Sequence, residues 1–203
     1  MSHEIYQFKI TLNDSAPKVW RRILVPTDYT FFDLHVAMQN AMGWTDSHLH
    51  AFRFANKENR WWAINIATPS PDDPFEVVDE RQAKIADYFG KTFGQCAYEY
   101  DFGDGWEHTV LLEKTLPKKA GEKYPQCVVG KNACPPDDCG GVWGYKGLQE
   151  ILKNPKHQEH KDMLEWLAVE SADEFNPTHF DPAEVEFEDP KERLKEWNAG
   201  FGK

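Results

Sequence analysis

The chain contains no run approaching the ~18 consecutive apolar residues needed to cross a bilayer. Its opening stretch, MSHEIYQFKITL, has neither a basic leader nor a long apolar segment. A membrane protein is therefore not expected, and the expected location is the cytoplasm. The four cysteines, Cys96, Cys127, Cys134 and Cys139, would be kept reduced there, so burial or metal binding is a better expectation than disulfide pairing. Positive charge is also short. There are six arginines, and the formal net charge is -11, so the phosphate-attracting term that supplies most non-specific duplex affinity is lacking. Lys114, Lys118, Lys119 and Lys123 are the nearest thing to a basic cluster and read as a solvated loop. Direct nucleic-acid binding is disfavoured. G-x-S-x-G, P-loop and dinucleotide fingerprints are absent, which leaves common acyl- and phosphoryl-transfer machinery without support.

What is present is a sequence of 203 residues, 40% hydrophobic and 14% aromatic, with eight tryptophans. That length and composition suit one domain, 1–203, with a large-ring core. Tyr6, Phe8, Ile10 and Leu12 alternate with polar residues as in a half-buried strand. After a turn at Asn13 to Pro17, Val19 to Val25 completes a hairpin. Thr30 followed by Asp33 makes a capping box, and Leu34, Met38, Ala41 and Met42 recur at helical spacing until Gly43.

Strands are expected at His48 to Phe54, Trp61 to Ile66 and Val77–Val78, with a turn at Asn56 to Asn59 and a short helix at Ala83 to Phe89. Residues 115–147 show neither period and hold four prolines and six glycines, so they read as a long loop that something must order. Helices follow at Tyr145 to Lys153 and His157 to Glu170. The acidic region 170–203 carries ten Asp or Glu between Glu170 and Glu196, and a last helix begins there at Asp189, with Pro190 at its first position. The expected fold is a single α+β domain: a mainly antiparallel or mixed sheet, an N-terminal helix on one face and C-terminal helices around it. Its opening order of hairpin, helix and strand resembles a β-grasp core by analogy.

Two segments carry chemistry. In YEYDFGDGWEHTV, residues 98–110, a two-residue Asp104-Gly105 turn would set Asp101 opposite His108 on one face. SHLH places His48 and His50 two apart on a strand, hence on one side. His48, His50, Asp101 and His108 are then candidate ligands for zinc or another divalent metal, with Asp104 or Glu107 as base in a metal-dependent hydrolase. The alternative is that Asp101 and Asp104 hold the turn and His108 fills a sheet position. In YPQCVVGKNACPPDDCGGVWGY, residues 124–145, Cys127, Cys134 and Cys139 could join a histidine around a structural zinc, although no C-x-x-C knuckle is present. Small buried hydrophobes are the other reading of these thiols. Trp106, Trp143 and Tyr145, lying beside glycines, are candidates for a protein-partner surface.

Five segments together carry a resemblance. They are PKVWRRILVP with the following FFDLHVAMQNAMGW, SHLHAFRF, YEYDFGDGWEHTV, YPQCVVGKNACPPDDCGGVWGYKGLQEIL and FDPAEVEF. In this order they resemble the plasmid Orf-three-like family, also called the insertion-element passenger TnpR family. The resemblance implies an α+β fold and an accessory protein associated with plasmids or transposons. It implies no recombinase chemistry, because the Arg-rich serine site of a resolvase has no counterpart here. The expected function is that of a non-catalytic binding module with a protein partner. The alternatives are the metal-dependent hydrolase, with nucleic acid as one possible substrate class, and the structural zinc protein.

Overall fold

In the computed structural model, which describes residues 3–55, 62–73 and 75–201, alternation sets the first hairpin. Glu4–Leu12 forms β1 and Trp20–Pro26 forms β2, and the residues of β1 that point inward, among them Phe8, Ile10 and Leu12, are fully buried. Thr30 and Asp33 cap each other reciprocally, with the Asp33 N–H donating to the Thr30 hydroxyl at 3.1 Å and the Thr30 N–H to the Asp33 carboxylate at 2.8 Å. Helix α1, Phe31–Met42, starts from that cap. It stops at Gly43, whose φ of 94° and N–H bond to the Gln39 carbonyl make a left-handed C-terminal cap.

The remaining strands are β3 His50–Ala55, β4 Trp62–Ala67, β5 Val78–Asp79, β6 Gln95–Tyr100, β7 Trp106–Pro117 and β8 Gln126–Lys131. The helices after α1 are α2 Ile85–Tyr88, α3 Gly141–Lys153, α4 His160–Trp166 and α5 Pro190–Phe201. The expected turn at Asn56 to Asn59, and Trp61, lie outside the described residues.

One eight-stranded sheet runs β5-β4-β3-β6-β7-β1-β2-β8. Its pairs are antiparallel except β4 with β5. This is the expected α+β class with a mixed sheet. The hairpin, helix and strand follow in the expected order, but β6 and β7 stand between β1 and β3. Helix α1 lies on one face, where Phe31, Leu34, Ala37, Met38 and Ala41 join Phe8, Ile23, Phe52, Tyr98 and Trp106 in one core. Burying such side chains stabilises by roughly 1.5–3 kcal/mol each.

Residues 115–147 are not one long loop. Strand β7 continues to Pro117, β8 pairs along the free edge of β2, and α3 starts at Gly141. Backbone pairing supplies the order that periodicity did not reveal. Buried Arg21 adds to it, donating to the carbonyls of Ala41, Trp20 and Lys131 while its guanidinium lies 3.6 Å over the Phe180 ring. Phe180 brings the acidic C-terminal region against the sheet, and Gly130 has no room for a side chain there because an added Cβ would lie 2.4 Å from that ring. Among the described residues, no helix is long and apolar enough to cross a membrane.

Candidate site at the junction of three loops and a cleft

The hairpin from β6 to β7 differs from the two-residue turn. Tyr100 pairs with Trp106, Glu99 with Glu107 and Tyr98 with His108, leaving five residues, Asp101 to Gly105, in the loop. Asp101 causes this. It adopts a left-handed φ of 53°, its carboxylate accepts the Gly103 N–H at 2.9 Å, and its carbonyl accepts the Gly105 N–H at 2.6 Å. An aspartate closing its own turn in this way competes with the Asp-Gly turn. Asp101 therefore does not face His108.

His108 points into the core beside Tyr98 and Trp44. Its Nδ1–H donates to the Trp106 carbonyl at 2.9 Å, which fixes the tautomer. Burial holds its pKa down at about 4, against the opposing pull of backbone hydrogen bonds. It is a neutral core imidazole. Glu107 is exposed on the opposite face of the strand, and the Asp104 carboxylate accepts the Gly140 N–H at 3.0 Å.

Asp101 meets His48 instead. Their Oδ2 and Nε2 atoms are 3.7 Å apart, and Asp138 Oδ1 lies 3.1 Å from the same nitrogen. Three loops make this junction: the approach to β3, the Asp101 to Gly105 loop, and CPPDDCGG. The contacts between the loops are tight. Besides the Asp104 to Gly140 bond, Asp137 accepts from the Thr45 N–H and hydroxyl at 3.4 and 3.2 Å, and the Trp44 indole donates to the Pro135 carbonyl at 2.9 Å. At Gly141 an added Cβ would fall 2.3 Å from the Asp104 carbonyl oxygen.

His50 turns to a second cluster. Its Nε2 is 2.6 Å from Glu80, which also accepts the Thr68 hydroxyl at 2.6 Å. Parallel to His50, with ring centroids 3.4 Å apart, lies His35 of α1. His35 Nε2 is 2.7 Å from Asp46, and its Nδ1 is 2.8 Å from the Tyr98 hydroxyl. Burial, and then the charge of His50, lower the His35 pKa, so the ring is neutral, donating to Asp46 and accepting from Tyr98. Burial by itself would raise both carboxyls. The hydrogen bond from His35, then His50 and Arg193, hold Asp46 below its ordinary range. The charge and hydrogen bond of His50, with help from the Thr68 hydroxyl, do the same for Glu80.

This cluster forms the floor of a cleft of about 970 Å³ beside β3 and β4. Asp46, Glu80, Asp73 and Glu76 line it against one guanidinium, Arg53, and Arg53 is already paired with Glu99. Phe32, Phe75, Phe102 and Trp197 supply aromatic surface, and Phe75 and Phe102 remain 77% and 50% exposed. His48 also lines the cleft, which places the three-loop junction beside it.

Of the four proposed metal ligands, then, His48 and Asp101 come together, His50 joins the other cluster, and His108 is buried apart. The three thiols do not converge. Among the described residues, no group of three metal-binding atoms includes a cysteine, and burial raises the pKa of Cys127, Cys134 and Cys139, keeping them protonated. Trp106 and Tyr145 are core residues at 0% and 1% exposure, so of the three suggested partner-surface rings only Trp143, 80% exposed, reaches solvent. Sequence reasoning missed His35, Asp46, Glu80 and Asp138. His35 and Gln39 had a signal: two polar residues four apart, both fully buried on the apolar side of α1. Glu80 had none.

Comparison with known proteins places these segments in a family. Residues 4–184 match the family described as plasmid pRiA4b ORF-3-like protein. The uncharacterized protein y4hQ of Sinorhizobium fredii (strain NBRC 101917 / NGR234) is 35% identical over 177 residues, which cover 85% of this chain and 86% of that protein. The crystal structure of a protein of unknown function, MM3350 from Methanosarcina mazei Go1, is similar at a TM-score of 0.81 and 42% identity, covering 92% of this chain and all of that one.

Proposed function

We propose that this chain, which belongs to the plasmid pRiA4b ORF-3-like protein family, is a non-catalytic cytoplasmic binding module that takes a lysine or arginine side chain of a protein partner into the cleft. The observation that carries this reading is the charge of the lining: Asp73 and Glu76 stand exposed at the rim and Asp46 and Glu80 lie at the floor, against one guanidinium, Arg53, that is paired with Glu99. Two of those carboxylates, Asp46 and Glu80, are held ionised at the floor. A cation at the rim gains charge-assisted hydrogen bonds from Asp73 and Glu76, and the ionised floor adds to the attraction. Each exposed ring at the rim that meets a guanidinium or ammonium adds about 0.5–2 kcal/mol. A phosphate backbone would meet net repulsion from these carboxylates.

The test is fluorescence anisotropy with short arginine- or lysine-bearing peptides and glutamine-substituted controls, carried out with EDTA present. The basic peptides should bind the wild-type protein and weaken as salt rises. An Asp73→Asn, Glu76→Gln double variant should weaken them further while melting at the wild-type temperature, because both side chains are exposed. Equal affinity for basic and glutamine peptides, or none for either, overturns the reading.

A further inference from the structure

We infer that His48, Asp101 and Asp138 form a binding site for one divalent first-row transition-metal ion. This goes beyond the cleft reading and does not depend on it. The first observation is the state of His48 Nε2. The atom is shielded from solvent and makes no hydrogen bond, although carboxylate oxygens lie 3.1 and 3.7 Å away. An imidazole N–H beside two carboxylates would ordinarily turn in line with one of them. Here Nε2 sits within reach of both oxygens but is hydrogen-bonded to neither, which suits a nitrogen that is to share a metal ion with them.

The second observation is spacing. Metal–nitrogen and metal–oxygen distances of about 2.0–2.2 Å set neighbouring ligand atoms roughly 3.0–3.6 Å apart around a tetrahedral or octahedral ion. All three ligand atoms lie within 4.8 Å of one another, and the two closest contacts of Nε2 fall in or near that range. The other histidine cluster makes the contrast. His35, Asp46 and His50 also lie within 4.8 Å, but each imidazole there is hydrogen-bonded to its own carboxylate at 2.7 or 2.6 Å and the rings are parallel to within 1°. Their nitrogens do not converge on a point.

The third observation is support around the ligands. The Asp101 Oδ1 accepts the Gly103 N–H, which leaves Oδ2 for the junction, and Asp137 and Gly140 fix the loop on either side of Asp138. Outer contacts of this kind orient the ligands of a metal site. One imidazole with two carboxylates suits zinc, manganese or ferrous iron better than magnesium or calcium, which favour all-oxygen shells. Asp138 has a side chain 67% exposed, so the remaining coordination positions face solvent, as in an open metal site.

The experiment uses the full chain, stripped with chelator and titrated with Zn²⁺, Mn²⁺ and Co²⁺ by calorimetry. One equivalent should bind. His48→Gln and Asp138→Asn should each weaken it at least about tenfold, while Cys134→Ser leaves it unchanged. Melting of the metal-free variants shows whether they fold. The wild-type protein supplies an independent readout, because Mn²⁺ should broaden amide NMR signals first around residues 48, 101 and 138. Failure to bind any of the three ions, stoichiometric binding indifferent to both substitutions, or broadening centred on residues 170–196 would overturn the site. Since the peptide assay contains EDTA, failure here and failure of the cleft reading are distinguishable.

Discussion

Lowering the pH tests whether His108 is a neutral core imidazole, as its register opposite Tyr98 requires. The ring is fully buried, and its pKa is lowered from the ordinary 6.5 to about 4, first by burial. The unfolded chain therefore takes up a proton before the folded protein does. The stability this residue contributes is fully present above about 6.5 and is lost as pH falls towards about 4. Between about pH 7 and about pH 4.5 the linkage amounts to roughly 2 kcal/mol of lost stability. Other groups titrate in the same window, among them His35, so the informative quantity is a difference between proteins. His108→Gln keeps a donor for the Trp106 carbonyl and removes the titration. Urea unfolding of both proteins at the two pH values should show a pH-dependent loss smaller by roughly 2 kcal/mol in the variant. An identical loss in the two proteins would refute the argument, and His108 would have to lie in a wetter or charge-paired setting.

Three further outcomes follow from the same packing. Leu34→Ala should cost about 2–5 kcal/mol in denaturant unfolding, because Leu34 is fully buried between α1 and the sheet. An unchanged midpoint would contradict that packing. Glu113, extra in β7 where the register with β1 shifts, accepts from Arg22 at 2.5 and 2.8 Å, and that hydrogen bond above all lowers its pKa from 4.5 to about 2. A depressed carboxylate stabilises above about 4.5 and loses that contribution as pH falls to about 2, so Glu113→Gln should lower stability at neutral pH by about 1–2 kcal/mol after allowing for solvent screening and flatten the acid limb. Gly144→Ala would put a Cβ 1.8 Å from the Cys139 carbonyl oxygen. It should cost about 1–3 kcal/mol or more and displace Asp138, weakening metal binding by calorimetry, whereas Gly147→Ala, with nothing within 4 Å, should do neither.

Much of the framework was legible because its signals are local. The alternation of Tyr6 to Leu12, the Thr30–Asp33 box with Gly43 after it, and Pro190 at a helix start each depend on residues a few positions apart, and each appears as read. The site was legible only in part. SHLH, DFGDG and CPPDDCGG were all conspicuous, but which side chains meet depends on register and on long-range loop contacts. One aspartate in a left-handed conformation converted a two-residue turn into a five-residue loop and moved Asp101 from His108 to His48. Strand β8 was hidden because its order comes from the edge of β2, about a hundred residues earlier, and not from a period of its own. Asp138 sat within a segment weighed for its cysteines. Glu80 reaches His50 across thirty residues, a proximity no short pattern encodes.

The most direct test of the proposed function is an amide NMR titration of the wild-type protein with a short arginine-bearing peptide, in EDTA and at low salt. The cleft reading predicts saturable shifts concentrated on residues that line it, such as Ala51, Arg53, Ala67, Thr68 and Phe102, with the glutamine-substituted peptide leaving them in place. Shifts gathered instead on the exposed Trp143 face or spread along the acidic 170–196 stretch, with the cleft residues unmoved, would contradict it.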